Sequence, residues 1–98
     1  MTEYKFKAKV WLYSGDAAWH FVSVPRKETK SIKTLFGDQA RGFGSLPVIA
    51  RIGSSKWKTS IFPESKSGSY MLPIKASVRK KENIKAGKNI EILIDIQI

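Results

Sequence analysis

A cation-rich set offers the clearest chemistry in this chain: Trp57, Lys58 and Ser60 in one alternating stretch, then Tyr70, Lys75 and Arg79 a short loop later. At period two Lys58 and Ser60 share a strand face, and at a spacing of four Lys75 and Arg79 share a helix face. Ammonium and guanidinium groups beside a hydroxyl and a helix N-terminus can cradle an anion, with Trp57 or Tyr70 as a surface on which a ring stacks. The competing reading packs Trp57 and Tyr70 into a core or the mouth of a barrel and leaves the cations in solvent. A second, thinner candidate is Arg41-Gly42-Phe43-Gly44, whose glycines let backbone approach a ligand.

Catalytic groups are scarcer. His20, the single histidine, stands between Trp19 and Phe21 in strand-like sequence. No nearby motif supplies a carboxylate to orient it for acid–base work, so it reads as structural or surface. Ser60 lies in Thr-Ser-Ile, without the glycines of a nucleophile elbow. With no Cys and one His, a metal site would rest on carboxylates, and Asp16, Glu28, Asp38, Glu64, Glu82, Glu91 and Asp95 show no ligand spacing. No metal and no cofactor is expected.

These residues need a scaffold, and composition bounds it. At 98 residues the chain is read as a single domain, 1–98, which buries only roughly 60 to 65% of its unfolded surface. An oligomer or a closed barrel offsets that shortage. An apolar fraction of 42%, with three Trp, three Tyr and five Phe, is enough for a real core. The net charge of +10 favours phosphates, nucleic acid or anionic surfaces as partners. Its spread is even: on either side of Ser55 stand nine Lys or Arg and four Asp or Glu. No run of eighteen apolar residues or apolar leader is visible, so a cytoplasmic protein without a membrane partner is expected, as monomer or weak homodimer.

Along the chain, Glu3 to Tyr13 and Ala18 to Val24 alternate as strands around a turn at Ser14-Gly15-Asp16. Pro25 ends that hairpin. Lys30 to Phe36 carries Ile32, Leu35 and Phe36 at helical spacing, with Gly37 at the place of a C-terminal cap. Asp38 to Gly44 is a loop, Ser45 to Ile52 a strand, and Gly53-Ser54-Ser55 a turn into a strand from Lys56 to Phe62. After the loop from Pro63 to Gly68, an extended stretch at Tyr70 leads to a two-turn helix opened by Pro73, with Ile74 and Val78 on its buried face. Asn83 suits a left-handed residue at its end, and Ala86-Gly87 marks a further turn. Ile90, Ile92, Ile94, Ile96 and Ile98 then require one buried sheet face.

Phe21-Val22-Ser23-Val24-Pro25 laid over Ser69-Tyr70-Met71-Leu72-Pro73 gives an internal echo at an offset of 48 residues. Two such halves wrapped around each other make a pseudo-twofold barrel without exposed edges. The expected fold is therefore mainly β, a small double-split β-barrel with two short helices.

Two resemblances bear on this. Leu72-Pro73, Val78-Arg79-Lys80 and Asn83-Ile84-Lys85-Ala86-Gly87-Lys88 with the following strand resemble the swapped-hairpin motif of the AbrB, MazE and SpoVT-type DNA-binding domains. Trp19, Phe21-Val22, Pro25, Arg41-Gly42, Pro47-Val48, Ile52-Gly53, Trp57, Thr59-Ser60, Phe62-Pro63, Gly68, Leu72-Pro73 and Val78-Arg79 resemble the family of domains of unknown function 1905. That second resemblance spans nearly the whole chain. It implies a double-split barrel in which one chain does what an AbrB-type dimer does, and it brings no activity. The functional reading is a non-catalytic binding module with a basic surface. A DNA-binding protein of AbrB-like type and an enzyme acting on a small anionic substrate are the alternatives.

Overall fold

The first alternating stretch folds as β1 (Glu3–Lys9) and β2 (Trp11–Leu12), interrupted at the fully buried Val10. In this computed structural model, which describes residues 2–13 and 18–98, the remaining elements are β3 (His20–Ser23), α1 (Arg26–Phe36), β4 (Leu46–Ile52), β5 (Ser55–Pro63), β6 (Tyr70–Pro73), α2 (Ala76–Lys81) and β7 (Asn89–Ile96). The turn expected at Ser14-Gly15-Asp16 lies outside the described residues. All pairings are antiparallel, in the order β1-β7-β4-β5-β6-β3-β2. Because β1 and β2 are one stretch of chain, the two ends of this order meet at Val10 and the sheet nearly closes into a barrel. Val10 donates to the Lys88 carbonyl at 2.9 Å and accepts from the Gly87 N–H at 2.7 Å, so the corner keeps its backbone bonds.

The pairing has a pseudo-twofold pattern. Each half runs sheet-switching strand, short strand, helix, long strand: β1–β2, β3, α1 and β4, then β5, β6, α2 and β7. β1 meets β7 as β5 meets β4, and β2 meets β3 as the end of β5 meets β6. β3 faces β6 and β4 faces β7 across the pseudo-axis. The offset is 50 residues, not the 48 of the sequence echo: His20 corresponds to Tyr70, and the helix start Arg26 to Ala76. The two prolines misled that alignment, since Pro25 stands at the N-cap of α1 whereas Pro73 is still in β6, opposite Phe21.

Three local expectations are corrected the same way. α2 begins at Ala76 with Lys75 as N-cap, three residues beyond Pro73. α1 starts at Arg26, four residues before the apolar spacing begins. Its first turn is tied down by a buried polar residue, Thr29, whose hydroxyl donates to the Val24 carbonyl at 3.1 Å and accepts from the Tyr70 N–H at 3.4 Å. Gly37 is the C-cap of α1 as expected, its N–H donating to the Lys33 carbonyl; it is right-handed, φ −59°, and carries the chain into a 3-10 turn, Gly37–Gln39. Along β7, Ile90, Ile92, Ile94 and Ile96 are buried as alternation requires, but Ile98 lies beyond the last ladder and is 50% exposed.

The barrel interior is filled by Val10, Val22, Val24, Ile32, Leu46, Val48, Ala50, Ile61, Leu72, Ile92 and Ile94 with their neighbours. α2 lies across the mouth between β6 and the turn joining β4 to β5. Ile74, Val78 and Ile84 bury its inner side. Its end is a Schellman closure: Asn83 takes φ 55°, the Ile84 N–H donates to the Arg79 carbonyl at 2.8 Å, and the Asn83 N–H to the Lys80 carbonyl at 3.4 Å. Glu82 then clamps the helix to β5, accepting from the hydroxyls of Ser55 at 2.6 Å and Ser54 at 3.3 Å. Donation by Ser55 is the largest influence holding its carboxyl below the ordinary 4.5. Gly53 makes room for this clamp: with φ +57°, a Cβ there would collide with the Glu82 carboxylate at Oε1.

Two outcomes follow. Gly53→Ala imposes a left-handed alanine and displaces the Glu82 carboxylate, so urea unfolding is expected to show a loss of about 1–3 kcal/mol. Ser55→Ala removes the donor that depresses the Glu82 pKa. A lowered carboxyl pKa contributes stability that is complete above 4.5 and lost as pH falls through the folded-state value. The stability gap between wild type and Ser55→Ala should therefore be widest near neutrality and narrow below that value, measured by denaturant midpoints from pH 7 to pH 3.

Candidate functional site

β5 and β6 stay paired only at Phe62–Met71 and Pro63–Tyr70. On the Trp57 side of that contact the two strands part, because β6 follows β3 while β5 follows β4. A cavity of about 370 Å³ opens in the split. β5 supplies Trp57, Lys58 and Thr59; β6 supplies Pro73; the link from β6 to α2 supplies Ile74 and Lys75; α2 supplies Ala76 and Arg79; and Ala18, Trp19 and His20 close the far side. The Ile74 N–H donates to the His20 carbonyl at 2.9 Å, which locks the link to the far wall. In the other half, the eleven-residue α1 reaches β1 through the Tyr4 and Ser31 hydroxyls, 2.9 Å apart. The six-residue α2 spans less of its own split.

The structure thus brings together Trp57, Lys58, Lys75 and Arg79 of the sequence-derived set and leaves out Ser60 and Tyr70. Ser60 lies further along β5, opposite Pro47. Tyr70 is buried on the α1 side, where burial pushes its phenol above the ordinary 10.0 and the Lys33 ammonium sits 5.9 Å from its ring centroid. Trp57 is only 8% exposed and belongs to the core, so it forms the floor of the cavity rather than an open stacking face. Neither does a six-residue α2 give much of a dipole; the positive charge at the opening comes from side chains. The Arg41–Gly44 loop lies elsewhere, in a 3-10 turn where Phe43 is 95% exposed at φ 59°.

Arg79 is the best positioned cation. Its Nε donates to the Ile74 carbonyl at 3.1 Å, fixing the plane of the guanidinium and leaving its terminal nitrogens as donors. Lys58 and Lys75 complete three cations around the opening, and among the described residues no Asp or Glu lines it. Among the described residues the ion pair is Lys5–Glu91, at 3.8 Å on the outside of β1 and β7. The surface hollows along that side mix charges, with Lys5, Arg51 and Lys56 beside Glu3, Glu91 and Asp95. Among the described residues no cluster of three or more His, Asp or Glu could hold a metal ion, and no helix is long and apolar enough to cross a membrane.

Two site residues escaped the sequence reading. His20 lines the cavity and donates from Nδ1 to the Ala18 carbonyl at 2.8 Å, since a carbonyl can only accept; this leaves Nε2 as the second ring nitrogen available to a ligand. Trp19 is 52% exposed and its ring stacks on Phe21, centroids 6.0 Å apart and planes 11° apart. The signal was present. Trp11 and Tyr13, like Trp19 and Phe21, stand two apart, and Trp11 pairs with Phe21, so all four fall on one face of the hairpin.

A family model described as a domain of unknown function (DUF1905) matches residues 6–94, from Phe6 in β1 to Ile94 in β7. The chain belongs to this family. The match covers both halves of the pseudo-twofold barrel and therefore every wall of the cavity in this domain of unknown function 1905. No curated protein matches the chain.

The two tryptophans should separate cleanly. Trp57→Ala empties a buried site and is expected to cost about 3–5 kcal/mol in denaturant unfolding, whereas Trp19→Ala removes a half-exposed ring and should cost under about 1 kcal/mol.

Proposed function

We propose that this protein is a non-catalytic binding module that holds an anionic group, phosphate or carboxylate, in the cavity between β5 and α2. The observation that carries the reading is the charge of the lining: Lys58, Lys75 and Arg79 converge on one concavity whose lining, among the described residues, includes no carboxylate. An anion there exchanges water for charge-assisted hydrogen bonds, each worth about 1.5–3 kcal/mol when partly desolvated. The arrangement is prepared in advance, because Arg79 is held by Ile74 and α2 is clamped by Glu82 to Ser55. Pre-set donors lose little entropy on binding.

An extended duplex-binding face of the AbrB-like kind has weaker support. Its phosphates would need cations spread along one surface, and the outer side of β1, β7, β4 and the start of β5 mixes Lys5, Arg51 and Lys56 with Glu3, Glu91 and Asp95. The two readings differ in salt dependence: several phosphate contacts give a steep fall in affinity with salt, one pocketed anion a shallow one.

Titration of the labelled protein with inorganic phosphate, followed by amide chemical shifts, should move residues 18–20, 57–59 and 74–79 in a saturable way. Arg79→Ala should weaken binding by at least about tenfold, while Lys66→Ala, in the distant loop after β5, should not change it. Shifts spread over all lysines without saturation, or indifference to Arg79→Ala, would overturn the proposal.

A further inference from the structure

The cationic cavity has a neighbour. Trp19 and Pro73, which line it, also line an apolar groove of about 350 Å³ whose other walls are Tyr13, Phe21, Phe62 and Met71. The two spaces share a wall, on the outer side of the barrel where β3 and β6 pair. This outer face is unusual for a strand hairpin, since Phe21 is buried without joining the interior core. It is covered by other aromatics: Trp11 at 5.0 Å, Tyr13 edge-on at 6.3 Å and Trp19 in a parallel stack at 6.0 Å. Trp11 is pinned in turn by donation from its indole N–H to the Ser23 hydroxyl at 3.0 Å. Trp19 is therefore held with one face on Phe21, while half of its surface remains open to solvent.

We propose that the ligand is a free mononucleotide, with its phosphate among Lys58, Lys75 and Arg79 and its base stacked in the groove against Trp19. The inference rests on the anion-binding reading above and adds the ligand class. A phosphate monoester carries a charge of about −1.5 to −2, which suits three cations better than a single carboxylate does. An exposed indole of fixed orientation is a stacking platform for a planar ring, and each base stacked on an aromatic is worth about 1–3 kcal/mol. The groove and the cavity each have the volume of one part of such a molecule, and Trp19 and Pro73 stand where the sugar would cross from one to the other. The mixed charge around Lys5, Arg51 and Lys56 offers no continuing track for further phosphates, which favours the free nucleotide over a unit within a strand.

The experiment compares four probes by calorimetry: adenosine 5′-monophosphate, inorganic phosphate, adenosine and a single-stranded deoxyadenylate hexamer. The monophosphate should bind at least about tenfold more tightly than phosphate or adenosine, and the hexamer no more than a few-fold more tightly than the monophosphate. Arg79→Ala should weaken monophosphate and phosphate by the same factor. Trp19→Ala should cost the monophosphate about tenfold more affinity than it costs phosphate, and Trp19→Tyr should restore most of that difference. Phosphate binding without any gain from the nucleoside overturns this inference and leaves the anion site standing. A hexamer bound far more tightly than the monophosphate also overturns it, in favour of a nucleic-acid strand. Failure of both phosphate and monophosphate to bind overturns the anion site as well.

Discussion

The fold depends on one bend. The chain leaves the ladder with β7 at Lys9 and joins the ladder with β3 at Trp11, so Val10 belongs to neither and turns the corner between them. A seven-stranded sheet of this size would otherwise present two raw edges. Here the same stretch of backbone is both edges, and its bonds to Gly87 and Lys88 leave no polar group stranded at the corner. Ile61 in β5 is the counterpart: up to it β5 pairs with β4, and from Phe62 onward with β6. Two strands that change partner are what separate the sheets, and that separation creates the split in which the cavity lies.

The cavity in turn depends on how unequally the halves fill their splits. α1 has eleven residues, buries Thr29 and Ile32, and reaches Tyr4 on β1. α2 has six, buries Val78, and is fastened at its far end through Glu82. A pseudo-symmetric barrel with one long and one short helix leaves space beside the short one. Arg79 sits at that place with its guanidinium already oriented by Ile74. This asymmetry, rather than any catalytic constellation, is what distinguishes the site from ordinary surface.

How far the sequence revealed this follows from which signals are local. The Ile-rich alternation of β7, the left-handed Asn83 and the paired halves are patterns of period or conformation, and they are borne out because sheet burial and helix closure act over a few residues. Lys58, Lys75 and Arg79 line one cavity, but strand and helix spacing account for this only in part: Ser60, on the same strand face as Lys58, lies outside it, and Lys75 is the extended N-cap of α2 rather than part of a helix face. The roles of the aromatics could not be read this way. Trp57 and Trp19 both sit in alternating stretches, and only the closure of the barrel decides that one faces the core and the other the outside. Pro25 and Pro73 show the same limit: proline fixes its own φ and excludes a donor, which is compatible with a helix cap in one half and a strand end in the other.

The pairing of β1 with β7 has a consequence for how the molecule comes into being. Glu3 to Lys9 find their partners in Asn89 to Asp95, so the N-terminal strand of the barrel waits for its C-terminal one. Until then Phe6 and the β4 edge that β7 will cover have no partner, and the loop to be closed is almost the whole chain. Formation of the barrel is thus a late, long-range event, slow for a chain of this length. Lys5, Lys7 and Lys9 alternate along the waiting strand, and lysines on an unpaired edge disfavour pairing with the same edge of another copy.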